Sequence, residues 1–253
     1  MPTPKKPSDA GPAPLVAFGA HPDDVEFACG GVLAAEVRAG RPVQIVVCSS
    51  GESATRGTPV EREAEARKGA EILGATLEFL DLGGDAHFEW RVEHAIKIAR
   101  LLRKTKPVIV LAPSVVRDQH PDHAVLGELV RQAARLARYG GVAELKDLPA
   151  HAIGQLLFYA ISPSSEPSSG VGSGVGGGAG KVLYDVSGVI ETWKQAMNAH
   201  GSQTAHLKYI ELQLSRARTL GLCAGVEYAI PLFPSDSIVV ESLASISRGA
   251  RAF

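Results

Sequence analysis

Leu15-Val16-Ala17-Phe18-Gly19-Ala20-His21-Pro22-Asp23-Asp24-Val25-Glu26 is the stretch that decides the fold. Its first part, residues 15–20, is a nearly continuous apolar run, the pattern of a strand covered on both faces. Polar chemistry begins at once where the run ends, with a histidine and two adjacent carboxylates opening a helix over residues 23–39 that Gly40 closes. Similar apolar runs recur at 43–48, 77–82 and 108–112. Helix-like stretches lie between them at 60–73, closed by Gly74, and at 91–105, stopped by Pro107. This β-α-β-α-β-α-β alternation predicts right-handed crossovers and an α/β, Rossmann-like doubly wound sheet, mainly parallel, with helices on both faces.

Beyond the alternation, a helix over 122–139, strands at 156–161 and 182–186, and helices around 189–200 and 207–220 form a C-terminal extension. Residues 1–14 read as a flexible leader, rich in Pro, Ser, Gly and Ala with little to bury. The remaining 15–253 read as one domain of the 253-residue chain. Within it, 162–180 is a Gly/Ser-rich mobile loop containing Gly176-Gly177-Gly178, which suits a lid over the site and a neutral insertion alike.

Composition excludes several classes. With 26 Lys+Arg against 27 Asp+Glu and a net charge of -1, neither a nucleic-acid footprint nor a polybasic membrane anchor is expected. No apolar stretch approaches the ~18–20 residues of a membrane span. Lys5 and Lys6 precede a short apolar stretch in the manner of a signal peptide, but Pro12 and Pro14 interrupt it. Cys29, Cys48 and Cys223 form no CxxC pair, so neither a disulfide framework nor a thiolate zinc site fits, and a reduced, cytoplasmic compartment is expected.

The chemistry lies at the strand ends, where ligands bind in open α/β sheets. The first strand leads into His21-Pro22-Asp23-Asp24, and the fourth into Arg117-Asp118-Gln119-His120-Pro121-Asp122-His123. In the common 3-2-1-4-5 strand order these strands are neighbours, so the two clusters meet across the switch-point crevice. Together they offer the nitrogen and oxygen donors of a catalytic divalent metal, with His21, Asp24 and His123 as ligands and one or two positions left open. Asp23, diverging from Asp24, then faces the attacking water as general base. Asp122 can hydrogen-bond an imidazole and set its tautomer. A cationic His120 would stabilise an oxyanion and protonate the leaving group. Asp and His also cap helices, so either motif alone would say little; their joint placement at the right strand ends carries the reading.

At these motifs the chain resembles the LmbE-like (PIG-L) zinc-dependent deacetylases of N-acetylglucosamine conjugates. The resemblance rests on Ala20-His21-Pro22-Asp23-Asp24 with Gly30-Gly31, on His120-Pro121-Asp122-His123, on Gly51-Glu52 with Thr55-Arg56-Gly57-Thr58, and on Ser202-Gln203. It implies Zn2+, with Fe2+ as the alternative, at His21, Asp24 and His123, Asp23 as base, and His120 assisting the intermediate. Among these enzymes the chain looks most like the bacillithiol-type deacetylases of low-molecular-weight thiol biosynthesis. His151, Leu157-Phe158-Tyr159 and Trp193-Lys194-Gln195-Ala196 carry this narrower likeness, while Val226-Glu227-Tyr228-Ala229-Ile230-Pro231 lacks an expected acidic residue after Tyr-Ala. The implied partner is a small amino-sugar conjugate, without nucleic acid or membrane, and the resemblance admits a homo-oligomer. Arg56 and, more weakly, Glu52 are substrate-binding candidates, and Asp85 and His87 can line the pocket.

Rival readings fit less well. The first strand is not followed by GxGxxG, and carboxylates would face a dinucleotide's pyrophosphate. No GxSxG elbow occurs. A non-haem iron oxygenase shares the two-histidine, one-carboxylate set, but Asp23 and His120 suit acid-base hydrolysis. The expected activity is removal of acetyl from a GlcNAc-malate-like conjugate; deacetylation of another GlcNAc-containing compound, or a non-catalytic metal- or sugar-binding module, is the alternative.

Overall fold

The computed structural model describes residues 11–117, 120–167, 180–205, 208–240 and 242. The chain runs through β1 (Leu15–Gly19), α1 (Asp24–Arg38), β2 (Val43–Val47), α2 (Pro59–Leu73), β3 (Thr76–Phe79), α3 (Val92–Thr105), β4 (Ile109–Pro113) and α4 (Pro121–Arg138). It continues through β5 (Gln155–Tyr159), β6 (Val182–Asp185), α5 (Ile190–Asn198), α6 (Gly201–Thr204), α7 (Tyr209–Cys223) and β7 (Ala229–Pro234). One seven-stranded sheet results, in the order β3-β2-β1-β4-β5-β7-β6. The first five strands are parallel and take the 3-2-1-4-5 order expected from the sequence, so β1 pairs directly with β4.

The apolar run of β1 is buried throughout, and its alternation feeds two cores. Leu15 and Ala17 join Leu33, Leu73, Trp193 and Met197 on the α1, α2 and α5 side. Val16 and Phe18 join Ile98, Leu102, Leu129 and Val130 on the α3 and α4 side. Each of the buried Leu, Ile, Val, Phe and Met side chains contributes roughly 1.5–3 kcal/mol by leaving water. The central strands are thereby held rigid beneath the loops at their carboxyl ends.

Three features depart from the sequence reading. β3 ends at Phe79 rather than at residue 82, and Asp81 accepts from the Gly83 N–H as the chain turns toward Asp85. A seventh strand, β7, inserts antiparallel between β5 and β6. Its Pro231 and Pro234 argue against a ladder position, which hides it in the sequence; it nevertheless pairs Leu183 with Pro231 and is buried along its whole length. Of the expected leader, Ala13 and Pro14 are tied down, accepting from Arg41 and the Val108 N–H, while residues 1–10 lie outside the described residues. Residues 168–179 of the Gly/Ser loop lie outside them too, as do Asp118 and Gln119. Among the described residues no helix is long and apolar enough to cross a membrane.

Candidate metal centre

Because β1 and β4 are neighbours, the loops leaving them converge, and His21, Asp24 and His123 meet although His123 is 102 positions from His21. His123 Nε2 lies 3.3 Å from His21 Nδ1 and 3.1 Å from Asp24 Oδ1, and all three side chains offer ligand atoms within 4.8 Å of one another. These spacings match the edges of a tetrahedron around a metal with ~2.0–2.1 Å bonds, which are about 3.3–3.4 Å long. Asp24 Oδ2 is occupied, accepting the backbone N–H groups of Ala20 (2.8 Å) and His21 (2.9 Å), which leaves Oδ1 to face the centre.

His21 stands between two acidic groups. Its Nε2–H is placed to donate to Asp122 Oδ2 at 3.3 Å, with the Asp85 carboxylate 3.1 Å from the same nitrogen, leaving the Nδ1 lone pair toward Asp24 and His123. That arrangement orients a ligating imidazole and raises its basicity. Burial opposes a charged His21, yet Asp24, Asp122 and Asp85 carry its imidazole up to about 12. His123 and His21 likewise outweigh burial and hold the Asp24 carboxyl well below its ordinary value. A cluster that draws a proton this strongly is suited to a bound cation, and its nitrogen and oxygen donors suit a divalent metal of the zinc or iron type. Asp122→Asn is expected to weaken divalent-metal affinity by about 10–100-fold, the usual scale for such an outer partner; competition against a chromophoric chelator measures it.

Asp23 departs from ordinary backbone, with φ at 111°. An uncommon conformation of this kind in a non-glycine residue persists only when its surroundings hold it. The support is Arg62, buried in α2, whose Nη2 donates to Pro22 O at 2.8 Å and Asp23 Oδ2 at 3.3 Å, while Nη1 donates to Gly51 O at 3.1 Å. Gly51 makes room for it: φ is +67° there, and a Cβ would lie 2.0 Å from Arg62 Nη1. Asp23 makes no side-chain cap to α1, so its carboxylate is not consumed by helix capping. Burial and the neighbouring Asp24 push it up to about 6, against the pull of Arg62.

His120 does cap its helix. Its Nδ1 accepts the Asp122 N–H at 3.3 Å, which leaves the ring proton on Nε2. The sequence suggested a cation here; burial and His21 instead lower its affinity for a proton and outweigh Asp122. The structure therefore favours a neutral imidazole with one N–H to offer. Asp122 holds His21 closely and approaches His120 Nδ1 only to 3.9 Å, so the imidazole it orients is His21.

These groups open onto a cavity of about 610 Å³ whose walls include Asp23, Arg56, Arg62, His120, Gln203 and Tyr209. Arg56 lies on the wall as expected. Glu52 does not line it: its carboxylate is turned back to accept from the Ser50 N–H at 2.9 Å. Asp85 lines the cavity as expected, buried beside His21, while His87 is exposed and does not. Cys48 is buried among apolar neighbours and does not line the cavity. Of the residues carrying the narrower likeness, His151 bonds Pro107 O, Tyr159 bonds Phe18 O and Trp193 bonds Glu26 O. Those are packing roles.

Residues 16–134 match the sequence model of the PIG-L family, described as GlcNAc-PI de-N-acetylase. Diacetylchitobiose deacetylase of Thermococcus kodakarensis is 28% identical over 72% of this chain and 67% of its own length. The segment matched by the family model, residues 16–134, is somewhat under half of the 253-residue chain. The 4-oxalmesaconate hydratase of Pseudomonas putida is 29% identical over 48% of this chain. The matched stretch spans about half, 52%, of that hydratase. The crystal structure of a conserved protein from Thermus thermophilus superposes with a TM-score of 0.78 at 29% identity, covering 90% of this chain and 97% of that one. The matched PIG-L segment contains His21, Asp23, Asp24, Arg56, Arg62, Asp85 and the His120 to His123 cluster; Gln203 and Tyr209 come from beyond it.

Proposed function

We propose that the protein is a metal-dependent amidohydrolase that removes acetyl from the 2-acetamido group of a glucosamine conjugate, releasing acetate and a free amine. The observation that carries this reading is the pairing of the His21, Asp24 and His123 donor set with a strained, cavity-facing Asp23 beside it. His21, Asp24 and His123 would hold a divalent metal, zinc by the donor set, which would supply polarisation of a carbonyl and a water of pKa lowered toward ~7. Asp23 accepts the proton of the attacking water and passes it to the departing amine. His120 supplies its Nε2–H to the developing oxyanion. Arg62 keeps Asp23 directed into the cavity.

The proposed substrate is a GlcNAc-malate-like conjugate of low-molecular-weight thiol biosynthesis. Its support is the bacillithiol-type likeness and the exposed Arg56 on the cavity wall, placed to meet a carboxylate of the aglycone. The cavity lies within the ~300–1,000 Å³ usual for small-molecule sites. The hydratase relative favours a second reading, addition of water to a conjugated carbon-carbon double bond. One paired assay separates them. Acetate release from GlcNAc conjugates, abolished by a chelator and restored by zinc, is expected; loss of dienoate absorbance without acetate release would support the hydratase instead.

A further inference from the structure

Glu26 and His200 are ionisable groups that the reaction above leaves without a role. Both are 0% exposed. Glu26 Oε2 lies 3.7 Å from His200 Nε2, and neither carboxylate oxygen nor either ring nitrogen has a hydrogen-bond partner among the described residues. Glu26 outweighs burial and holds the His200 imidazole above its ordinary value. A buried ion pair of this kind is weak as a source of stability, since apolar groups of the same volume often do as well. The space it fills is shaped by Gly69 of α2, where a Cβ would lie 3.0 Å from Glu26 Oε1 and 3.1 Å from His200 Nε2.

The pair joins two parts of the proposed active site. On one side, Glu26 belongs to the first turn of α1, which begins at Asp23 and Asp24 and is gripped from α5 by Trp193 Nε1 donating to Glu26 O at 2.7 Å. On the other, His200 leads into α6, where Ser202 N and Oγ each donate to Glu65 at 2.6 Å. Gln203 Nε2 then donates to Arg56 O at 3.0 Å on the cavity wall. We infer that Glu26 and His200 are positioning residues whose buried pairing sets the first turn of α1, with its Asp23 and Asp24 carboxylates, against the α6 segment that carries Gln203 to the cavity wall. This inference rests on the metal-dependent reading above. Neither residue touches substrate. Both act through carboxylates whose placement matters steeply, since a misplacement of ~1 Å can cost ~10²-fold in rate.

The test uses full-length protein loaded with Co2+, whose visible ligand-field band reports the geometry at Asp24 independently of turnover. Glu26→Gln and His200→Gln are expected to fold and bind cobalt but to shift that band. They should also lower kcat about tenfold or more with KM changed far less. The double variant should lose no more than the worse single one, because the two residues act as one unit. A lowered melting temperature with unchanged band and kcat would show a purely structural pair and overturn the inference, as would additive losses. Should the charge variants fail to fold, Gly69→Ala carries the test by crowding both groups while deleting neither. An altered band supports the inference, and an unaltered band with full kcat overturns it. Wild-type protein that binds no cobalt and releases no acetate would remove the metal-dependent reading, and this inference with it, a result distinct from normal variants of an active wild type.

Discussion

Asp23→Asn is expected to reduce acetate release by about 10²–10⁴-fold, the usual contribution of a general base, while metal content and melting temperature stay at wild-type values. Asparagine is the informative replacement. It tolerates positive φ better than other non-glycine residues, so the backbone at 111° is kept, and its amide oxygen still accepts from Arg62 Nη2. Only the capacity to take a proton is removed. Alanine would confound that loss with relaxation of a strained turn. Steady-state kinetics beside elemental analysis of the same sample checks the prediction, and near wild-type kcat in Asp23→Asn would move the base elsewhere.

His21→Ala is expected to fall from about one metal per chain to below about a tenth, and to lose activity to background, because ligand loss removes binding energy and not only catalytic geometry. His21 is the side chain shared by both acidic groups, with Nδ1 toward Asp24 and His123 and Nε2 toward Asp85 and Asp122. Its removal leaves those buried carboxylates facing one another without the imidazole, so lowered stability is expected as well. Metal retained at wild-type stoichiometry in His21→Ala would place the ion in a different donor set.

How much of this was legible in the sequence depends on how local each signal is. The β1 run, the helix stops at Gly40, Gly74 and Pro107, and the two histidine-aspartate clusters are contiguous, and the parallel alternation then fixes which strand ends lie side by side. Residues that act across elements were not legible. Arg62 occupies a charged helix, Val60-Glu61-Arg62-Glu63-Ala64-Glu65, where its inward direction leaves no periodic mark, and only the turn at Gly51 admits it. Asp85 was legible as a pocket residue and does line the cavity, but its place beside His21 was not, because it follows an edge strand whose exit direction is set by Asp81 and Gly83. Glu52 stood in the right loop, but an adjacent N–H at Ser50 captured it. His120 was expected to be cationic because Asp122 is near in sequence; in space Asp122 serves His21, and the capping bond from its own N–H fixes the His120 tautomer. β7 was hidden by its prolines, and His200 is an isolated histidine whose partner Glu26 lies 174 positions earlier.

The most direct test of the metal centre is the metal content of purified, tag-free wild-type protein and of His123→Ala, by elemental analysis after supplying zinc and removing the excess. About one zinc per chain in wild type and almost none in His123→Ala is the expected result. No tightly held metal in the wild type, or equal metal in the two proteins, would contradict it and return His21, Asp24 and His123 to a buried polar cluster with no ion to hold.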